Sequence, residues 1–383
     1  MPLPFFAIFA TIVADSLLFS ENPGKEESLY FITQDGALID MTNFAQFSRQ
    51  WLPQIETEMQ ALLSNEPPVL RGMYGMMRYH MGWENQQGAP EQSPAGKRIR
   101  PLLTLMTCQA AGANPSRALP AAAAVELLHN FSLIHDDIED RSLTRRHRPT
   151  VWSWAGQAQA INTGDALFVI AHLALLRLRK LALPPARVLE ALQIFDDTCL
   201  RLTEGQYLDM SFESRTDVSL DEYLLMISGK TAALLSASAL LGALIAGSRN
   251  LDAYRTFGYE LGLSFQIEDD ILGIWGEEAL TGKSATGDII TRKKTLPVLY
   301  ALEQSGPAAD RLRAFYTRAA PLTTAEVPVI LTLLDALKAR EYATAQGLAH
   351  AEAALAALNA TADDAETIDL LASLVRRLVG RKN

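Results

Sequence analysis

Cysteine is scarce in this chain: Cys108 and Cys199 are the only two in 383 residues. Both sit in apolar, helix-like surroundings, make neither a disulfide framework nor a metal motif, and read as buried free thiols of a reducing, cytoplasmic compartment. β-Branched alternation is scarce as well, which argues against extended sheet. Positive charge is the minority sign: 34 Lys and Arg against 44 Asp and Glu leave a net charge of −10, which argues against general nucleic-acid binding. Long apolar runs are also missing. Phe5 to Phe19 is broken by Asp15 and preceded by no Lys or Arg, so it fits neither a secretory signal nor a span of about 20 residues. Thr231 to Ala246 is short and carries Ser236 and Ser238. No stable membrane anchoring is expected. Residues 1–40 read as a weakly structured extension, or as a product of start-codon choice, ahead of an ordinary first helix.

Ala, Leu and Glu dominate the rest, and the apolar spacing predicts helices over 44–63, 67–82, 99–112, 117–139, 155–180, 185–212, 219–227, 230–247, 251–274, 295–304, 308–318, 324–356 (broken near Arg340) and 364–379. No fixed-period repeat and no Pro/Gly/Ser-rich linker divides them. The expectation is one all-α domain over 41–383 with a central cavity.

Against this background the segment His135-Asp136-Asp137-Ile138-Glu139-Asp140 stands out, since it puts acids directly after the apolar run Val125 to Ile134. A second pair, Asp269-Asp270, follows the run Leu261 to Ile267. On a helix Asp136 and Asp140 share a face about 6 Å apart along the axis. Their repulsion grows with desolvation, and divalent cations would offset it. Mg²⁺ takes one or two carboxylates and leaves positions for phosphate oxygens. Two acid pairs at two buried helix ends suggest a shared cage for hard cations; the bland alternative is a solvated acidic helix end.

Cations cluster near these acids, as Lys97-Arg98-Arg100, Arg145-Arg146-Arg148 and Arg292-Lys293-Lys294. They suit phosphate-bearing small molecules through bidentate guanidinium contacts, or are solvated loop charge. His129 lies two helical turns before Asp136 on the same face. Gly229-Lys230-Thr231 is expected to open a helix, where backbone N–H groups favour phosphate. The Walker pattern wants a glycine where Leu224 stands, so a P-loop is excluded.

In this order, Gly96-Lys97-Arg98-Ile99-Arg100-Pro101, Leu127-Leu128-His129 through Asp140, Arg145-Arg146-His147-Arg148-Pro149-Thr150, Gly164-Asp165, Glu204-Gly205-Gln206, Gly229-Lys230-Thr231, Phe265-Gln266 through Asp270 and Lys293-Lys294-Thr295-Leu296-Pro297 resemble a trans-isoprenyl diphosphate synthase of the polyprenyl synthetase family. The resemblance runs from about Met73 to Leu302. It implies a single large helical bundle around a deep central apolar cavity, with both acidic motifs at its mouth. It further implies that Asp136 and Asp140 bind two Mg²⁺ ions and Asp269 a third (Mn²⁺ substituting), with Asp137 and Asp270 in support. Lys97, Arg100, His129 and Arg146 would hold isopentenyl diphosphate. Arg145, Lys230, Thr231, Gln266, Lys283 and Lys293 would hold the allylic diphosphate. A homodimer is implied too. Two positions depart from the family's pattern. Gly273 replaces the usual fifth-position Asp of the second motif, and His147 replaces a glycine; retained activity with altered metal affinity is expected.

Phe131 and Ser132 lie five and four residues before Asp136, about 6–8 Å below it on a helix. A growing chain pointing down from the metals would meet them. In this family a bulky residue at the first position and a small one at the second resemble geranylgeranyl-type synthases; Phe131 as plain helix packing is the alternative, and a farnesyl or longer-chain product stays open. A terpene cyclase is a rival, with Asp269 and Glu277 suitably spaced, but Lys97, Arg100 and His129 form a second-diphosphate pocket that a cyclase has no use for. A non-catalytic partner subunit should have lost one acidic motif, and a mere metal-binding scaffold has no use for the cations. The basic end, Arg376-Arg377 and Arg381-Lys382, folds over the mouth or is a solvated tail.

Overall fold

The computed structural model describes residues 17–19, 29–32, 38–40, 42–93, 96–276, 287–361 and 364–379. After three short strands, β1 (Leu17–Phe19), β2 (Leu29–Ile32) and β3 (Leu38–Asp40), come α1 (Thr42–Gln60), α2 (Arg71–His80), α3 (Ile99–Ala110) and α4 (Leu119–Glu139). A hairpin of β4 (Thr144–Arg145) and β5 (Arg148–Pro149) leads to α5 (Val151–Ala155), α6 (Gln157–Leu176), α7 (Pro185–Glu213), α8 (Leu220–Ile227), α9 (Ala233–Ala246) and α10 (Leu251–Trp275). The chain closes with α11 (Gly287–Ile290), α12 (Leu296–Glu303), α13 (Pro307–Thr317), α14 (Val327–Ala336), α15 (Ala339–Asn359) and α16 (Ala365–Val379). The all-α expectation is met.

Residues 1–40, expected to be weakly structured, contain an antiparallel sheet that pairs Leu18 with Tyr30 and Phe31 with Ile39. Strands this short carry too little sequence for a period of two to be recognised.

α9 is the axis of the bundle. Every side chain from Ala233 to Ile245 is buried, as a helix apolar on all faces demands. It packs on α3, α4, α7 and α10. A β-carbon on Gly242 would overlap the Thr104 carbonyl and Thr107 hydroxyl of α3, so the close crossing of these helices requires glycine there. By length and composition Gln157–Lys180 and Leu220–Ala246 are long and apolar enough to cross a bilayer. The second is mostly core; the first shows apolar residues on its outer face.

One expected boundary is wrong in kind. Helices over 219–227 and 230–247 were to be separate, with Gly229-Lys230-Thr231 opening the second. Instead α8 runs into α9 through a π-helical turn at Ser228–Ala232. No helix N-terminus exists at Gly229, so the helix-end phosphate site expected there is absent. The turn accommodates α7: a β-carbon on Gly229 would meet the Arg201 carbonyl, and one on Gly205 would meet the Lys230 backbone. The break expected near Arg340 falls at Lys338, in a left-handed conformation (φ 56°).

Candidate active site

α4 is buried along Pro120 to Leu128 and again at Ile134 and Asp137, and its C-terminal turn carries the first acidic cluster. Acids at a helix C-terminus oppose the helix dipole, so the arrangement is costly without cations. Asp136 is partly exposed, yet desolvation pushes its carboxyl up to about 6. Lys230 and Arg145 oppose that shift, whereas Asp140 and Glu139 add to it. Asp140 caps the helix in the open, its backbone N–H donating to the Asp136 carbonyl at 2.8 Å. Glu139 turns to α7 and accepts from Gln206 Nε2 at 2.6 Å. Asp137 is buried and takes Arg145 Nε on Oδ1 at 2.8 Å. The Asp137 carboxylate, expected to support the metal shell, anchors Arg145, whose Nη groups stay without a hydrogen bond among the described residues.

The second motif behaves likewise. Asp270 is buried and accepts the Tyr223 hydroxyl at 2.6 Å, the Leu296 N–H at 3.1 Å and Gln266 Nε2 at 3.0 Å. It ties α10 to α8 and α12. Gln266 Oε1 in turn accepts Thr231 Oγ1 at 2.6 Å. Both amide groups of Gln266 and the Thr231 hydroxyl proton are thus used inside the fold, so these two residues, expected to hold allylic diphosphate, frame that wall.

Gly273 acquires a physical explanation. A β-carbon there would overlap the Asp288 carboxylate; the position lacks its side chain because an acid from α11 fills the space. Lys293 faces the same cleft. Desolvation works against its charge, but Asp288, Asp270, Asp209 and Asp140 outweigh it and hold the ammonium above its ordinary range. Acids from both motifs therefore act on one ammonium. Lys230 Nζ lies 2.5 Å from Asp209 Oδ2. Lys283 and Glu277 lie outside the described residues, as do Arg381 and Lys382. Arg377 stacks over the Phe44 ring of α1, 5.4 Å from its centroid.

The cationic wall is built by backbone strain. Arg98 takes a left-handed conformation (φ 49°) at the start of α3. Its side chain turns inward, with Nε 2.8 Å from Glu56 and Nη1 2.6 Å from the buried Glu126. Arg98 is a structural cation; Lys97 is left exposed. Arg100 Nε is buried without a partner among the described residues. Arg146 fills the space above Gly96, whose β-carbon would lie 2.8 Å from Arg146 Nη2. Arg146 and His147 make the two-residue turn of the β4–β5 hairpin with φ of 52° and 61°. This primed turn needs positive φ at both positions, and histidine is among the residues that tolerate it, so His147 can replace glycine. Desolvation, and next nearby Arg98, lower Arg146 to about 10. Desolvation, then Arg100 and Arg146, hold His129 neutral, far below its ordinary value. Arg100, Arg146 and His129 keep some solvent contact while behaving as desolvated groups, as side chains lining a narrow cleft do.

Below the first acids an aromatic column descends. Phe131 lies 5.0 Å from Phe168 between ring centroids, Phe168 4.7 Å from His172, and His172 5.0 Å from Phe195. Ser132 Oγ donates back to the His129 carbonyl at 2.8 Å, so it presents little bulk.

Among the described residues no three carboxylates, imidazoles or thiols gather closely enough to hold a metal ion by themselves. The donor set still suits Mg²⁺, which takes one or two carboxylates, keeps waters and completes its shell with substrate phosphate. Sequence reasoning missed Asp209, Asp288, Tyr223 and the Glu56–Arg98–Glu126 group. Glycines in mid-helix, Gly205 and Gly273, were the available signals that backbone or side chains approach there.

The family model for polyprenyl synthetase matches residues 89–334. The chain is 44% identical over 283 residues to "(2E,6E)-farnesyl diphosphate synthase" of Mycobacterium tuberculosis, covering 73% of this chain and 77% of that protein. It is 38% identical over 304 residues to the "Geranylgeranyl diphosphate synthase" of the same organism, covering 79% and 86%. Among solved structures, the polyprenyl synthetase of Streptomyces coelicolor A3(2) superposes with a TM-score of 0.78 at 35% identity, over 87% of this chain and 98% of that one. The chain belongs to the polyprenyl synthetase family. It is a short-chain trans-prenyl diphosphate synthase, a transferase of prenyl groups on the all-α isoprenoid synthase fold.

Proposed function

We propose that the chain condenses isopentenyl diphosphate head-to-tail with dimethylallyl, geranyl or farnesyl diphosphate and releases diphosphate, with geranylgeranyl diphosphate as its end product. The observation that carries this reading is that acids of both motifs, Asp140 of α4 and Asp270 of α10, act on the one Lys293 ammonium, while Lys230 and Arg145 act on Asp136 and Asp269 acts on Arg100. The relatives' names divide between farnesyl and geranylgeranyl products; bulky Phe131 five residues before Asp136, with small Ser132 at four, favours the C20 reading.

Asp136, Asp140 and Asp269 would hold Mg²⁺, three ions in all with Mn²⁺ as substitute. The raised carboxyl of Asp136, at about 6, supports this, because acids gathered against desolvation favour a cation. When bound, the ions neutralise charge on the leaving diphosphate. Lys230, Lys293 and the Nη groups of Arg145 stabilise the same charge as the allylic C–O bond breaks. Lys97, Arg100, Arg146 and neutral His129 hold isopentenyl diphosphate so that its double bond attacks the allylic cation. The departing diphosphate takes the proton. Apolar walls around Phe131 and Phe168 keep water from the cation.

The working form we propose is a cytoplasmic homodimer. Ile161, Val169 and Leu173 recur on the outer face of α6, and Leu189, Leu200 and Tyr207 on that of α7, all exposed; an apolar patch of this kind marks an interaction surface. The unpaired, buried cysteines Cys108 and Cys199 support the compartment.

The test supplies labelled isopentenyl diphosphate, Mg²⁺ and a C5, C10 or C15 allylic partner, then sizes the dephosphorylated products. C20 from each partner is expected. C15 as the end product would select the farnesyl alternative, and no product from any partner would overturn the reading.

A further inference from the structure

His80 ends α2, outside every motif that the sequence singled out. Its surroundings are clamped on both sides. The Tyr79 carbonyl accepts Arg148 Nη1 at 2.9 Å, and the Arg148 guanidinium lies 4.0 Å above the Tyr79 ring. The Met81 carbonyl accepts Arg98 Nη2 at 3.5 Å. Arg148 is itself held by Glu91 and the Glu84 carbonyl, at 3.0 and 2.8 Å. The backbone on either side of His80 is thus held by an arginine from each of the two cationic motifs, while its own Nε2 is buried with no hydrogen-bond partner among the described residues.

A buried, unsatisfied nitrogen is costly unless something reaches it in the working state. Desolvation keeps the ring neutral, and the charges acting on it most strongly are all cationic, Arg146, Arg145, Arg98 and Arg148. The first three of these also act on His129. The same arginines thus act on both His80 of α2 and His129 of α4. A neutral imidazole facing arginines has one fitting partner class, an anion that accepts from its N–H.

We propose that His80 is a further binding residue for the isopentenyl diphosphate, with its Nε2–H donating to a diphosphate oxygen beside Arg146. This rests on the reading that the pocket takes that diphosphate.

The test is steady-state kinetics of the full chain, wild type against His80→Ala and His80→Gln. Loss of a charge-assisted hydrogen bond raises the KM for isopentenyl diphosphate at least about tenfold in His80→Ala, with the KM for the allylic partner within about twofold of wild type. Gln, which keeps an N–H donor, recovers part of the loss. A KM for isopentenyl diphosphate within twofold of wild type, in a variant with wild-type circular dichroism, overturns the assignment while leaving the enzyme reading intact. A wild type that makes no product sinks the underlying reading instead. Should both variants misfold, the ¹⁵N signal of His80 Nε2 in the wild type decides: it shifts on adding isopentenyl diphosphate, and an unmoved signal at saturation overturns the proposal.

Discussion

The Asp288 carboxylate occupies the space in which a side chain on Gly273 would begin. Position 273 and α11 are thereby coupled, and the missing fifth acid of the second motif has an acid standing in front of it. Gly273→Ala should cost about 1–3 kcal/mol through overpacking. In an Asp288→Gly background the same substitution should cost little, since the opposing group is gone. Thermal unfolding of the four proteins of this double-mutant cycle checks it; additive costs would show that the two positions do not meet.

Arg98 sits in the middle of a motif read as phosphate-binding, yet it faces inward. Arg98→Met should destabilise the fold by about 3–5 kcal/mol, because it leaves Glu126 buried without its cation. Glu126 is only 3% exposed. Adding Glu126→Leu should restore much of the loss. Denaturant midpoints measure both changes, and an Arg98→Met protein as stable as wild type would return Arg98 to the substrate.

This division shows what the sequence carries. Acid spacing, apolar runs and the order of the motifs are local quantities, so the helices, the fold class and the family could be read. Which way each side chain turns depends on partners far away in the chain. Asp137 and Asp136 are neighbours, but only Asp137 finds Arg145; Asp269 and Asp270 are neighbours, but only Asp270 meets Tyr223 and the Leu296 N–H. The π-turn at Ser228–Ala232 is likewise set by α7 pressing on Gly229, which local propensity cannot report.

Phe131→Ala should lengthen the product, because it opens the aromatic column toward Phe168. Phe168 and then His172, fixed by Asp196 at 2.8 Å, remain below it, so the gain should be limited and Phe131→Ala/Phe168→Ala should yield longer chains still. Reversed-phase chromatography of dephosphorylated products reads this directly; an unchanged length distribution in both variants would mean that Phe131 only packs helices.

Burial raises the Asp270 carboxyl to about 6 from the ordinary 3.8. An acid raised in the folded state stabilises the fold when protonated. That contribution is fully present below the unfolded value, about 4, and is lost as pH rises through about 6. In chelator-treated protein, the stability of wild type relative to Asp270→Asn should therefore be greater at pH 4.5 than at pH 7.5. Urea midpoints at the two values test the sign, and the opposite trend would show that the hydrogen bonds from Tyr223, Leu296 and Gln266 outweigh burial.

The central claim is that the α4 acids work on the diphosphate through Mg²⁺. Turnover of Asp136→Ala at saturating Mg²⁺, alongside its circular dichroism, tests it most directly. The account predicts a wild-type spectrum with product formation nearly abolished, a loss of at least about a thousandfold if one carboxylate supplies several kcal/mol of transition-state stabilisation. Near-normal turnover from a folded Asp136→Ala protein would contradict it.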